Sequence, residues 1–310
     1  MSFLRVLASK VNKTETEVIQ YLANAPLKYK VYTIPKRTSG NRVIAQPTKE
    51  LKEYQRAFLQ IKSFPVHQVA TAYCLGLSIK DNALSHKANS YLLKMDLKNF
   101  FNSINNNLFW KIWAVNKKLP EAKDKELIEK LLFWSPSKSL QGKLILSVGA
   151  PSSPLLSNFI MYSFDEHLFK ACNKLNVTYT RYADDLTFST NKKDILFKVP
   201  NLVAEQLRFE FGSSIIVNRK KTKFSSKAHN RHVTGITLNN NQAISLGRKR
   251  KRYIKHLVHQ LLLNKLTVDD INHLKGLLAF AKHIEPTFIL SLEKKYSLAK
   301  ITHIFEAENE

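Results

Sequence analysis

The side chains best suited to chemistry in this sequence are three carboxylates. Asp184 and Asp185 are adjacent in Val177-Thr-Tyr-Thr-Arg-Tyr182-Ala183-Asp184-Asp185-Leu-Thr-Phe-Ser189, and Asp96 lies 88 residues before Asp184. Two neighbouring like charges repel, and the one local cation is Arg181. A chain keeps such a pair at a joint between strands for one of two reasons. Asp is a common turn residue, so the joint is a solvated turn. Alternatively, a divalent cation sits between these carboxylates and a third one from elsewhere. Asp96 is placed to be that third group. Tyr91-Leu-Leu-Lys-Met-Asp96-Leu97 reads as a buried strand with one carboxylate near its end. A buried, unpaired Asp is costly, so Asp96 needs a cation, whether a Lys or Arg partner or a metal.

The elements around these carboxylates follow from residue type. Val177–Tyr182 and Leu186–Phe188 are β-branched and aromatic, which suits two short strands with the acidic pair at the turn. At 310 residues, with 44% hydrophobic residues, the chain is long and apolar enough for a sizeable core and two or three subdomains. Its charge is far from neutral: 49 Lys and Arg against 24 Asp and Glu give +25. That excess is the footprint of a polyanion binder, because each phosphate neutralised releases condensed counterions. A membrane surface is the competing partner, but no apolar run reaches membrane-spanning length and no signal peptide opens the chain. The two cysteines, Cys74 and Cys172, have no ligand-like spacing, which points to core thiols in a reducing cytoplasm and away from structural zinc.

Taken in order, Thr14-x-x-Glu17 is a capping box before Val18, Ile19 and Leu22, so residues 1–27 read as a small helical segment. Two strand-like runs, 29–34 and 42–45, flank Thr-Ser-Gly-Asn and form a hairpin whose charges are Lys28, Lys30, Lys36, Arg37 and Arg42. That face is either solvated or a phosphate contact. A helix follows through Leu51, Tyr54, Phe58 and Ile61. Ser78-x-x-Asp81 caps a short helix on which Asn82 and His86 share a face; a lone His there is more often structural than a ligand.

Residues 108–134 have a helical pattern. Gly149-Ala150-Pro-Ser-Ser153-Pro154 is a tight loop opening a helix, with Ser153 at the N-cap and Pro154 at the first helical position. A helix is expected over 195–211, then a strand-like His232-Val233-Thr234-Gly235-Ile236. Arg248-Lys249-Arg250-Lys251-Arg252 leads into an apolar stripe at Ile254, Leu257, Val258, Leu261 and Leu262. Two more helices, 268–282 and 286–299, complete a small helical unit, Thr267 capping the first and Pro286 starting the second.

The order of these features resembles that of reverse transcriptases, with Tyr182-Ala-Asp-Asp185 as the signature tetrapeptide. Asp96 on its strand, the Gly-Ala-Pro-Ser-Ser-Pro loop, the acidic turn and Asn218-x-x-Lys221-Thr222 follow one another as in the palm of that family, over roughly residues 28–300. Asn82-Ala83-x-x-His86 ahead of Asp96 and Val233-Thr234-Gly235 ahead of the basic helix are similar to motifs of the bacterial retron branch, which the absence of a long C-terminal extension also suits.

The resemblance implies an α+β right-hand polymerase fold. Fingers would span 28–95, the palm 96–240, built on an antiparallel sheet plus helices, and a small helical thumb 241–310. It further implies an RNA-directed DNA polymerase that copies part of a cognate non-coding RNA into single-stranded DNA, primed from an RNA 2′-hydroxyl. Template removal would fall to a host ribonuclease H, and an effector protein of an anti-phage system would be a partner.

By the same resemblance, Asp96, Asp184, Asp185 and the Leu97 carbonyl would hold two Mg²⁺. On an extended strand the side chain of Asp185 points away from that of Asp184, so hairpin geometry decides how far it ligates. Arg42, Lys36, Ala150 and Lys221 would contact the dNTP, and Phe101 would exclude a 2′-hydroxyl. Asn82, His86, Val233, Thr234 and Gly235 would recognise the RNA, and Arg248, Lys249, Arg250 and Arg252 would follow the backbone of the hybrid.

Two positions depart from the family pattern: Val148 stands where relatives often carry a glutamine, and Asn99 where many are acidic. Neither touches the carboxylates. The alternatives are another bacterial reverse transcriptase of the group II intron type, an RNA-dependent RNA polymerase, which Phe101 disfavours, and a non-catalytic nucleic-acid scaffold, which loss of Asp96 or Asp184 would have marked.

Overall fold

The computed structural model describes residues 2–36, 40–116 and 118–296. Arg37 and the Thr38-Ser39 half of the expected turn lie outside the described residues, as does the expected helix beyond Tyr296. Helices α1 (Phe3–Lys10) and α2 (Glu15–Ala23) open the chain, and α2 carries the expected box: Thr14 and Glu17 each accept from the other's backbone N–H. Strands β1 (Tyr29–Pro35) and β2 (Asn41–Pro47) form a separate antiparallel hairpin, with β1 exposed along most of its length. Helix α3 (Lys49–Ile61) buries Leu51, Tyr54 and Phe58, the residues its spacing selects. The short α4 (Ile79–Leu84) starts at the Ser78–Asp81 box.

Strand β3 (Tyr91–Asp96) leads into α5 (Phe100–Ser103), α6 (Asn106–Asn116), α7 (Ala122–Leu132), α8 (Ser153–Ile160) and α9 (Tyr162–Lys174). Hairpin strands β4 (Thr178–Tyr182) and β5 (Asp185–Thr190), helix α10 (Val199–Phe211) and strand β6 (Lys223–Ser226) follow. The central sheet is antiparallel in the order β4-β5-β3-β6. Because side chains alternate across a strand, register sorts the sheet into two faces. Leu93, Met95, Tyr179, Leu186 and Phe188 face the large core with the helices. Leu92, Lys94, Asp96, Thr178, Thr180, Tyr182, Asp185, Thr187 and Ser189 line the other face.

A three-stranded sheet of β7 (Arg231–Val233), β8 (Ile236–Leu238) and β9 (Ile244–Ser245) comes next, then α11 (Arg248–Leu262), α12 (Val268–Ile284) and α13 (Pro286–Tyr296). These build a second core that reaches back to Val233 and, among the described residues, buries Ala83 and Leu92 from earlier in the chain, with Ile79 packed against it. The helices of this unit cover Val233, Ile236 and Leu238 of β7 and β8, so its core extends to residues ahead of 241.

Local expectations shift in three places. Ser153 is the first residue of α8 rather than its cap, which falls on Ser152. The helical run 108–134 is two helices, α6 and α7. Residues 195–198 form a 3₁₀ turn before α10. Among the described residues, no helix is long and apolar enough to cross a membrane.

Candidate active site

The three carboxylates meet at one end of the polar face of the central sheet. Antiparallel pairing of β3 with β5 sets Asp96 opposite Asp185, and the Leu97 N–H donates to the Asp184 carbonyl at 3.0 Å. Tyr182 pairs with Asp185, leaving Ala183 and Asp184 as a two-residue turn in which Ala183 adopts φ 57°. That left-handed conformation is strained for a residue with a Cβ and aims Asp184 away from the strand line. The Asp96 side chain is buried; its carboxylate accepts from Lys221 Nζ at 2.6 Å and Asn218 Nδ2 at 3.1 Å. Asp96 therefore has a lysine partner in Lys221.

Arg181 does not serve the acidic pair. It lies on the core face, fully buried, where its Nε and Nη2 contact the Asp165 carboxylate at 2.6–3.0 Å. Its Nη1 donates to Asn158 Oδ1 at 3.0 Å and to the Ala183 carbonyl at 3.2 Å. One guanidinium thus ties α8, α9 and the acidic turn together. Sequence reading missed this brace, although alternation offered the signal: Arg181 falls two residues after Tyr179, on the inward-facing set, and an inward Arg requires a buried partner.

The electrostatics at the turn are those of a site short of positive charge. Burial raises the Asp184 carboxyl above its usual range, and the nearby Asp96 adds to the shift. Asp185 keeps an edge open to solvent, yet desolvation by the surrounding protein, then Asp184 and Asp96, push it up to about 6. The Lys221 ammonium is raised, chiefly by its hydrogen bond to Asp96. Among the described residues, no three His, Cys, Asp or Glu side chains stand close enough to enclose an ion without adjustment. The donor set fits a hard divalent cation nonetheless: all three groups are oxygen ligands, and such a charge would oppose the upward shifts of Asp184 and Asp185.

Two neighbouring cavities lie in this region, and one of them borders the turn. One, of about 470 Å³, is lined by Asp96, Leu97, Asp184, Lys221, Arg42, Lys36, Phe101 and Val148 among others. The fingers-hairpin cations and the expected sugar gate are thereby gathered with two of the carboxylates; Asp185 is not in the lining. Neither is Ala150, which lies in the neighbouring cavity of about 330 Å³ with Lys52, Arg56, Ser153 and the 147–151 loop. Tyr73, Phe101 and Val148 border both spaces. Tyr73 sits at φ 61° with its ring 6.3 Å from that of Phe101, edge to face. Nothing in its sequence surroundings marks it, since a left-handed tyrosine shows only in the folded chain.

A family model described as reverse transcriptase (RNA-dependent DNA polymerase) matches residues 34–238. The chain is 51% identical over 278 residues to the retron Ec83 reverse transcriptase of Escherichia coli, covering 89% of each. It is 35% identical over 288 residues to the retron Ec73 enzyme of Escherichia coli, covering 88% of each. It is 32% identical over 276 residues to the retron Mx65 enzyme of Myxococcus xanthus, covering 83% of this chain and 62% of that one. The chain belongs to the bacterial retron reverse transcriptases. It is an RNA-directed DNA polymerase, and its family uses a divalent metal ion.

In this reverse transcriptase the residues expected to read RNA divide by exposure. Asn82, His86 and Val233 are fully buried, so none of these side chains reaches a polyanion in this conformation. His86 hydrogen-bonds Ser189 and Thr180, each at 2.7 Å, and burial lowers its pKa to about 3, so it is neutral. Gly235 is exposed and Thr234 half-buried, at the turn between β7 and β8. Arg248, Lys249 and Arg252 are exposed on the first turns of α11. Arg250 is partly withdrawn, its guanidinium 5.0 Å over the Phe280 ring and 3.4 Å from the Gly235 carbonyl.

Proposed function

We propose that this reverse transcriptase copies part of a cognate structured RNA into single-stranded DNA, starting from a 2′-hydroxyl of a guanosine in that RNA. The observation that carries the reading is the single cavity that brings Asp96 and Asp184 together with Arg42, Lys36, Phe101 and Lys221. Asp96 and Asp184, with Asp185 and the Leu97 carbonyl beside them, would hold two Mg²⁺. Bound there, the ions would lower the pKa of the attacking hydroxyl and neutralise the triphosphate.

The chain's own groups do the rest. Arg42 and Lys36 bind the dNTP phosphates from the hairpin side. The attacking oxygen forms a bond to the α-phosphorus as the bond to pyrophosphate breaks, and Lys221, released from Asp96, neutralises the departing charge. Phe101 lies under the sugar and leaves no room for a 2′-hydroxyl. Lys52 and Arg56 in the adjoining cavity supply cations for a template phosphate, and the exposed Arg248, Lys249 and Arg252 grip the hybrid. The RNA–DNA product would remain with the protein and restrain an effector in anti-phage defence, and a host ribonuclease H would remove the copied template.

The test is to purify the protein from cells and treat its bound nucleic acid separately with ribonuclease, deoxyribonuclease and a debranching enzyme. A discrete single-stranded DNA joined to RNA through a debranchable bond is the expected result. Heterogeneous RNA alone, with dNTP incorporation surviving on a primed template, would overturn the self-primed reading. A second check is Phe101→Ala, which should raise ribonucleotide incorporation at least tenfold relative to dNTPs while leaving RNA binding unchanged.

A further inference from the structure

Asn82 and Ala83 lie on α4 and His86 in the turn two residues beyond its end, so the expected shared helix face is not formed, yet each of the three engages a different body. Ala83 is buried in the second core with Val233, Ile236 and Leu238. His86 reaches into the catalytic hairpin, between Thr180 on β4 and Ser189 on β5. Asn82 touches both: its Oδ1 lies 2.5 Å from Thr180 Oγ1 and its Nδ2 lies 3.5 Å from Thr234 Oγ1 at the β7–β8 turn.

The protons in this cluster have one consistent assignment. Thr180 has a single hydroxyl proton, and Asn82 Oδ1 takes it. Thr180 must then accept from His86, so the ring proton is on Nε2. Nδ1 is left as an acceptor, and Ser189 donates to it while accepting from Asn89 Nδ2 at 2.7 Å. At the other end Asn82 donates to Thr234, whose own hydroxyl donates to the Ile79 carbonyl at 3.2 Å. The result is an unbroken, one-directional chain from Asn89 to Ile79. A second proton on His86 would set donor against donor at Ser189. Buried hydrogen bonds in series polarise one another and permit a single arrangement of their members.

We infer that Asn82, His86, Thr180 and Thr234 are positioning residues for polymerisation rather than readers of RNA. They lock the β7–β8 turn, and the helical unit behind it, at a fixed distance from the hairpin that carries Asp184. The inference rests on the polymerase activity and not on self-priming. Whatever duplex lies between the two elements meets a preset gap, so the lock acts on every primed template and leaves the dNTP cavity alone.

The experiment compares Thr180→Val, which keeps shape and removes the hydroxyl, with Thr180→Ser, which restores it. Steady-state extension is measured on a generic RNA template with a DNA primer and on the RNA that copurifies with the wild-type protein. Thr180→Val should raise the KM for primed template about tenfold on both, with the KM for dNTP within twofold of wild type, and Thr180→Ser should recover most of the loss. A normal KM on the generic template, with loss confined to the copurifying RNA, would overturn the inference in favour of direct recognition. An equal rise in the KM for dNTP would overturn it as well. If Thr180→Val does not fold, Thr234→Ala against Thr234→Ser breaks the chain at its half-exposed end, and wild-type KM values for Thr234→Ala would be equally fatal.

Discussion

The same face of the same hairpin is built in opposite ways at its two ends. At the turn, Asp184 and Asp185 have raised pKa values, because burial and mutual repulsion outweigh the cations near them. At the other end, Thr180 and Ser189 are buried, with the hydroxyl protons and the His86 ring proton each assigned to an acceptor. The two ends are only a few residues apart along each strand. An end that must accept charged ligands is left unsatisfied in the free protein, whereas an end that fixes geometry is completed by the chain itself. The strain and repulsion at the turn persist because the finished end, with the Arg181 brace, over-determines the hairpin.

Substitutions at the two ends should therefore diverge. Asp184→Asn should lower DNA synthesis by roughly 10³-fold or more, since it removes a ligand from a unit that acts as a whole. RNA binding should stay within twofold, and the melting temperature should not fall, because a poorly compensated charge has been removed. A drop in melting temperature would mean that the turn carboxylate holds the fold. Asp165→Asn should do the reverse, costing about 3–5 kcal/mol in urea unfolding by leaving the Arg181 guanidinium buried without its counter-charge.

Ser189→Ala should cost about 1–3 kcal/mol by stranding the acceptor on His86 and the donor on Asn89. Loss of synthesis without loss of stability there would blur the contrast between the two ends. The effect of pH is smallest near neutrality. His86 is held at about 3 in the folded protein against an ordinary value near 6.5, so the unfolded chain binds the extra proton first as pH falls. Its contribution is intact above about 6.5 and declines by up to about 1.4 kcal/mol per pH unit below that, until the folded pKa is reached. His86→Gln should remove this share of the slope between pH 6.5 and 5; an unchanged slope would mean that the ring is already charged when folded.

The carboxylates, the strand bearing Asp96, the capping boxes at α2, α4 and α12 and the helical unit were legible in the sequence, because alternation, spacing and cap residues are local signals. The roles of Arg181, Tyr73 and His86 were not. Arg181 beside two aspartates reads as their partner, and only the strand register turns it to the other face. From its own surroundings His86 reads as a structural histidine, and only the family resemblance directs it and Asn82 at RNA. That His86 meets Thr180 and Ser189, about a hundred residues later, is a long-range fact that no window of sequence contains. Ala150, expected to contact the dNTP, lines the adjoining cavity, because a loop's direction depends on the helix it enters.

The second core has a consequence for the order in which the molecule is made. Among the described residues, 233–292 supply all of its buried members except Ala83 and Leu92, so a growing chain can assemble the large core, with the carboxylates in place, before that material exists. Until it arrives, α4 waits with one apolar side uncovered, and the half-made polymerase has a sticky flank where its last part will close. Chaperone dependence during synthesis should concentrate at that flank. Local opening of the finished protein, followed by amide exchange, should start from the helices of this late-made unit while the central sheet stays protected.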